Sequence, residues 1–225
     1  LPQAELYLDY FQSRNVYGDD PFTDATEVSV PFDLAVLVRN QGYGDAKNLN
    51  ITSSQPKIIE NEKGLLIDFN IIGSQLNGQD VNPSLKVNFG DIKAGETAVA
   101  NWLLKSTLQG KFIEYKATFE HINGLGNKEL SLIKEVKIHE LISKVKADSD
   151  NLPDFLVNDV FDAKFYPDTL YFSNGTTAPV TAIDTATVDA PVTIFDLQAQ
   201  ITLSPPSQGG LGGIWNYIRL EDPAN

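Results

Sequence analysis

Carboxylates are the most abundant reactive groups in this chain, and their densest run lies between residues 148 and 168. Asp148, Asp150, Asp154, Asp159, Asp162 and Asp168 share that stretch with a single cation, Lys164. Hard cations such as calcium take several carboxylate and carbonyl oxygens from a flexible loop, so Asp148, Asp150, Asp154 and Asp159 are candidate calcium ligands. The spacing does not make an EF-hand. With Asp148 as position one, Leu152 falls at position five and Pro153 replaces the turn-making glycine at six. A solvated acidic linker is the plainer reading of the same residues. A second cluster, Asp19-Asp20-Pro21-Phe22-Thr23-Asp24, is explained by Asx turns without a metal.

Other chemistries have few residues to draw on. The chain has no Cys, which excludes disulfides, thiolate metal sites and a cysteine nucleophile. His121 and His139 are its two histidines, too few for a zinc centre. No Gly-x-Ser-x-Gly elbow accompanies them, and both read as surface or strand-edge residues. Glu114 with Glu120 and Glu60 with Glu62 are carboxylate pairs of the kind a glycosidase needs, yet lysines flank them and they read as solvated faces. The glycine-rich run 207–213 lacks the Lys-Ser/Thr ending of a phosphate loop and reads as a hairpin tip. Trp215 and Tyr217 share a phase and are candidates for stacking on a carbohydrate, whereas Trp102 falls in phase with Ala98 and Leu104 and belongs to a core. Asn50-Ile51-Thr52 and Asn174-Gly175-Thr176 match the glycosylation triplet, which matters only in a eukaryotic source.

The elements that must position these residues alternate with period two. Phe32, Leu34, Val36 and Val38 share one face, as do Leu6, Leu8 and Tyr10; Ala98, Ala100, Trp102 and Leu104; Ile113, Tyr115, Ala117 and Phe119; and Phe195, Leu197, Ala199, Ile201 and Leu203. Strands of weaker pattern are expected at 47–53, 64–72, 85–89, 130–139, 168–173, 179–188 and 214–220. The best helix candidate, 132–146, reads as a strand followed by at most one helical turn. Many short strands between Gly, Pro, Asn and Asp turns predict an all-β protein, a sandwich or barrel. Apolar density falls near 143–152, which sets an expected division into a β-sandwich at 1–145 and a smaller β-rich domain at 146–225, completed by another module or chain.

The 225 residues carry 17 Lys+Arg against 30 Asp+Glu, a net charge of −13. Such a charge repels nucleic acid and anionic membranes. No apolar run reaches the ~18 residues of a membrane-spanning helix. The ends, Leu1-Pro2 and Glu221-Asp222-Pro223, and the lack of any Met are expected of an excised piece of a longer chain.

One stretch resembles a known family. Val38-Arg39-Asn40-Gln41-Gly42 leads through Gly44-Asp45-Ala46 to a strand at Leu49-Asn50-Ile51. Later come Phe89-Gly90-Asp91-Ile92, Ala94-Gly95-Glu96-Thr97 and Gly110-Lys111-Phe112. This order resembles the CARDB-type, immunoglobulin-like cell-adhesion-related domains of bacteria over about residues 4–140, with a departure in the excursion 55–84. In this pattern Gly42 and Gly44 are expected to supply positive φ at a hairpin turn. The resemblance implies an immunoglobulin-like sandwich in a secreted or surface-exposed bacterial protein, with a structural or adhesive role and no catalytic residues. Neighbouring modules, copies of the same protein assembling into a surface layer or filament, or a surface polysaccharide are the partners expected. A calcium-stabilised adhesin spacer and a carbohydrate-binding module are the alternatives.

Overall fold

The computed structural model describes residues 2–51, 68–111, 132–160, 164–183, 187–189, 200–202 and 215–219, and these contain strands and no helix. The strands are β1 (Leu6–Gln12), β2 (Asn15–Val16), β3 (Phe32–Asn40), β4 (Ala46–Ile51), β5 (Phe69–Leu76), β6 (Gln79–Val81), β7 (Val87–Ile92) and β8 (Thr97–Ser106). They continue with β9 (Gly110–Lys111), β10 (Ile133–Val145), β11 (Asp154–Val157), β12 (Thr169–Tyr171), β13 (Thr177–Ile183), β14 (Thr187–Asp189), β15 (Gln200–Thr202) and β16 (Trp215–Ile218). The all-β expectation holds. The strand expected at 112–120 lies outside the described residues, as do Glu60, Glu62, Glu114, Glu120, His121 and the glycine run 207–213.

Ten strands form one mixed sheet in the order β16-β13-β12-β11-β10-β1-β3-β8-β5-β6. β1 pairs antiparallel with β3, and its other edge pairs parallel with β10 from Leu6↔Ile133 to Gln12↔Glu140. β10 is a strand over all thirteen residues, and the one helical turn the sequence allowed within 132–146 does not form in them. Its alternating apolar and charged residues favour the pleat over a helix. Beyond Glu140 it takes β11 as its antiparallel partner, with a register shift between Leu141 and Ser143. β4 and β7 make a separate two-stranded ribbon.

The β1–β3–β8 strands are buried on both faces. One face carries the predicted core: Leu6, Leu8, Tyr10, Leu34, Val36, Val38, Ala98, Ala100, Trp102 and Leu104 pack with Ala46, Val87, Phe89 and Ile92 of the ribbon. On the other face, Phe11, Ala35, Leu37 and Val99 pack with Leu141, Phe155 and Val157. The Phe11 and Phe155 rings stack at 4.1 Å. The expected boundary at 143–152 covers the last three residues of β10 and the connection to β11, and this second cluster draws on residues from both sides of it.

The turn motif that carried the family resemblance works by close approach. Asn40 is buried and acts as a hub. Its Oδ1 accepts from the Glu5 and Gly42 amides at 3.2 and 3.1 Å, and its Nδ2 donates to the Gly44 and Ile92 carbonyls. Gly42 and Gly44 do not take the positive φ expected of them. They are needed because a Cβ at Gly42 would collide with the Gln3 carbonyl and Glu5 amide, and one at Gly44 with the Pro2 carbonyl. The Gly95 amide donates to the Asn40 carbonyl at 2.8 Å, which ties the turn into β8 to the same hub.

Candidate functional site

A buried ionic cluster lies where β1, β10 and β12 meet. Asp9 projects from β1 and His139 from β10, and both are almost wholly buried. His139 Nε2 lies 3.1 Å from Asp9 Oδ1, and its Nδ1 lies 2.6 Å from Asp159 Oδ1. Arg39 of β3 places Nη2 2.7 Å from Asp9 Oδ2, and the Tyr171 hydroxyl donates to Asp159 Oδ2 at 2.8 Å. The imidazole ring is covered by Phe11 and Tyr171, with centroids at 5.2 and 4.6 Å.

This geometry fixes the protonation state. A neutral imidazole has one donor nitrogen, and here both nitrogens face carboxylate oxygens; only the imidazolium satisfies both. The charges then balance, with two carboxylates against one guanidinium and one imidazolium. Burial disfavours the cation, but the hydrogen bonds to Asp159 and Asp9 and the charge on both outweigh it and hold the His139 pKa above its ordinary value. Burial likewise opposes the charge on Asp159, yet His139, Tyr171 and Lys137 together keep its carboxyl below the usual range. Burial and the Asp159 hydrogen bond push the Tyr171 hydroxyl far up, so it stays a donor. With both ring nitrogens occupied, His139 has none to offer a substrate.

The surface or edge position read for His139 is therefore corrected. The alternation was right, but the phase taken as polar faces a second core closed by β11 and β12. The missed signal lay in the neighbours: Leu34-Ala35-Val36-Leu37-Val38 is apolar in both phases, as a strand covered on both sides must be. A second buried pair stands beside the cluster. Arg14 Nη2 lies 2.6 Å from Glu140 Oε2, which also accepts from Asn158 Nδ2 at 3.0 Å.

The four candidate calcium ligands separate into two groups. Asp154 is fully buried, with Oδ2 accepting from the Ala147 amide at 2.7 Å and Oδ1 from the Ser173 amide at 2.9 Å. Asp150 accepts from the Leu152 amide and the Ser173 hydroxyl, and Asp148 accepts from the Asp150 amide. Asp159 belongs to the His139 cluster. Among the described residues no three His, Asp or Glu side chains gather as a metal site requires. In the 19–27 loop, Asp20 accepts from the Phe22 amide, as an Asx turn does, and Asp19 accepts from the Glu27 amide across the loop.

Trp215 and Tyr217 lie half-buried on one face of β16. Trp215 meets the Phe172 ring at 5.8 Å and Tyr217 meets Tyr166 at 6.1 Å. Trp102 is fully buried and donates from Nε1 to the Ser84 carbonyl at 2.8 Å, as a core tryptophan should.

A groove of about 310 Å³ opens at the end of β1, lined by Ser13, Asn15, Tyr17 and residues 30–33 on one wall and 141–144 on the other. Its ionic groups, Lys144 Nζ and Asp33 Oδ1, pair with each other at 2.8 Å. No family profile, curated protein or solved structure matches the chain.

Proposed function

We propose that this chain is a non-enzymatic structural and adhesive module of an exported bacterial protein, an immunoglobulin-like β-sandwich followed by a smaller β-rich part. One observation carries the reading: the buried ionic groups at the β1–β10 junction are spent on joining strands. Asp9, Arg39, His139 and Asp159 link β1, β3 and β10 to the start of the 158–168 connection. Arg14 and Glu140 link the end of β1 to β10, and Asp154 holds two backbone amides. Charges paired in this way fix strand register, although Asp9 Oδ2 and Arg39 Nε lack a hydrogen-bond partner among the described residues. The turn motifs around Asn40 support the sandwich reading.

The test is to display the protein on beads and follow bead–bead and bead–cell attachment, alongside hydrolysis of glycoside, ester and phosphoester substrates. Attachment without turnover is expected. Turnover that survives purification and is lost in His139→Gln would overturn the reading. A second reading, a carbohydrate-binding module, is favoured by the four rings Phe172, Trp215, Tyr217 and Tyr166 along β16. It requires Trp215→Ala to lose retention on a polysaccharide while the fold persists.

A further inference from the structure

Two consecutive residues of β10 clasp two consecutive residues of the connection that follows β11. Glu140 holds Asn158: its carbonyl accepts from the Asn158 amide at 3.0 Å, and its Oε2 accepts from Asn158 Nδ2 at 3.0 Å. His139 holds Asp159, with Nδ1 2.6 Å from Oδ1. Val160 follows, its amide donating to Asp168 Oδ2 at 2.6 Å. The two carboxylates on the imidazole differ in their access to water, for the Asp9 side chain is 2% exposed and that of Asp159 28%. Around them stand Arg39 of β3 on Asp9, Lys137 of β10 acting on Asp159, and the Tyr171 hydroxyl of β12, which stays protonated. β11 brings the uncharged Phe155 and Val157 to the second core. Glu140, in the alternate phase of β10, is held by Arg14.

We infer that loss of the His139 proton releases Asp159 and loosens Asn158–Val160 on β10, which makes this contact a pH-operated clasp. The imidazolium donates to both carboxylates. A neutral ring keeps one N–H and turns a lone pair toward the other carboxylate oxygen. That contact is repulsive, so one carboxylate must leave. The proton stays on Nε2. Asp9 has no water to turn to, and stranding it opposite a lone pair incurs its full desolvation penalty, whereas Asp159 rotates into solvent. Its departure also takes Oδ2 away from the Tyr171 hydroxyl. Asn158 then hangs on Glu140 alone, a single hold in place of a double one. The proton is bound more tightly in the folded chain than in the unfolded one, so the clasp is shut at about pH 6.5 and opens on the alkaline side of it. The device does not depend on the adhesive reading, since it concerns how the chain after β11 is held to the sheet.

The test uses the full chain and reads amide hydrogen exchange at Asn158 and Val160 by NMR from about pH 6 to about pH 10. Rates are expressed as protection factors, so that the pH dependence of the exchange chemistry itself drops out. The ring-carbon shifts of His139 in the same samples report when the imidazole titrates. Protection at both amides should fall about tenfold in step with that titration, the size expected for one charge-assisted contact. Val36 and Leu37, in the middle of β3 and paired on both sides, should keep theirs. The titrated ring should be the Nε2–H tautomer. Asp159→Asn should remove the step, because an amide side chain can turn to accept from Nδ1 or donate to it. Protection that stays level through the His139 titration, a fall shared equally by Val36 and Leu37, or an Nδ1–H tautomer would each overturn the clasp. So would a step that survives in Asp159→Asn, or a His139 that keeps both protons until the whole chain unfolds.

Discussion

Replacing His139 by leucine should expose what the buried cluster contributes. The substitution keeps an apolar body against Phe11 and removes both charge-assisted contacts, at 2.6 and 3.1 Å. Deleting one partner of a buried ion pair costs about 3–5 kcal/mol. Asp9 keeps Arg39 and Asp159 keeps Tyr171, so the lower end applies, about 3 kcal/mol. In a chain of this length that corresponds to a melting temperature lower by roughly 6–12 °C. The pH dependence discriminates further. Because the folded His139 pKa lies above its unfolded value, the contribution is complete below the unfolded value of about 6.5 and is lost as pH rises through the folded one. The gap between wild type and His139→Leu should therefore narrow on the alkaline side. Asp159, whose folded pKa is lowered, makes the gap narrow again in acid: its share is present above about 3.9 and lost as pH falls through the folded value. Paired thermal melts from about pH 3 to about pH 9 measure this directly. A gap that is constant over the range, or that widens as pH rises above about 6.5, would refute the imidazolium.

Three further outcomes are expected. Asp154→Ala strips the acceptors from two buried amides and should destabilise by roughly 2–4 kcal/mol, with faster hydrogen exchange at Ala147 and Ser173; a loss within experimental error would contradict the clasp. Gly42→Ala forces the 2–5 segment off the turn after β3 and should lower the melting temperature by several degrees, whereas an unchanged value would show that the close approach is unnecessary. Chelation of calcium should leave the melting temperature unchanged, because Asp148, Asp150 and Asp154 are engaged by their own backbone and Ser173; a drop of several degrees would reinstate a calcium site.

The strands were legible because apolar side chains two residues apart must share a face, and Leu34, Val36 and Val38 bury together as that rule demands. Trp102 was legible for the same reason. The parallel seam between β1 and β10 was not, since no local pattern records which distant strand becomes a neighbour. His139 was misread through an assumption that the second phase of every strand meets solvent. Lys137 obeys it and is half exposed, but two residues on, β11 and β12 cover the same phase and the rule fails. The acidic stretch showed its composition and hid its bonding. Whether Asp154 solvates or clasps depends on Ser173, nineteen residues away, and spacing says nothing of that. The Asn40 turn was located correctly for a mistaken reason, because a glycine required by a neighbouring backbone looks in sequence like one required by φ.

The measurement closest to the central claim is the ¹⁵N spectrum of the His139 side chain at neutral pH. Two protonated ring nitrogens, persisting above about pH 6.5, are predicted for a histidine that serves as a cross-link between strands. A single bare nitrogen, titrating at or below that value, would mark a group free to act as a base and would contradict the account.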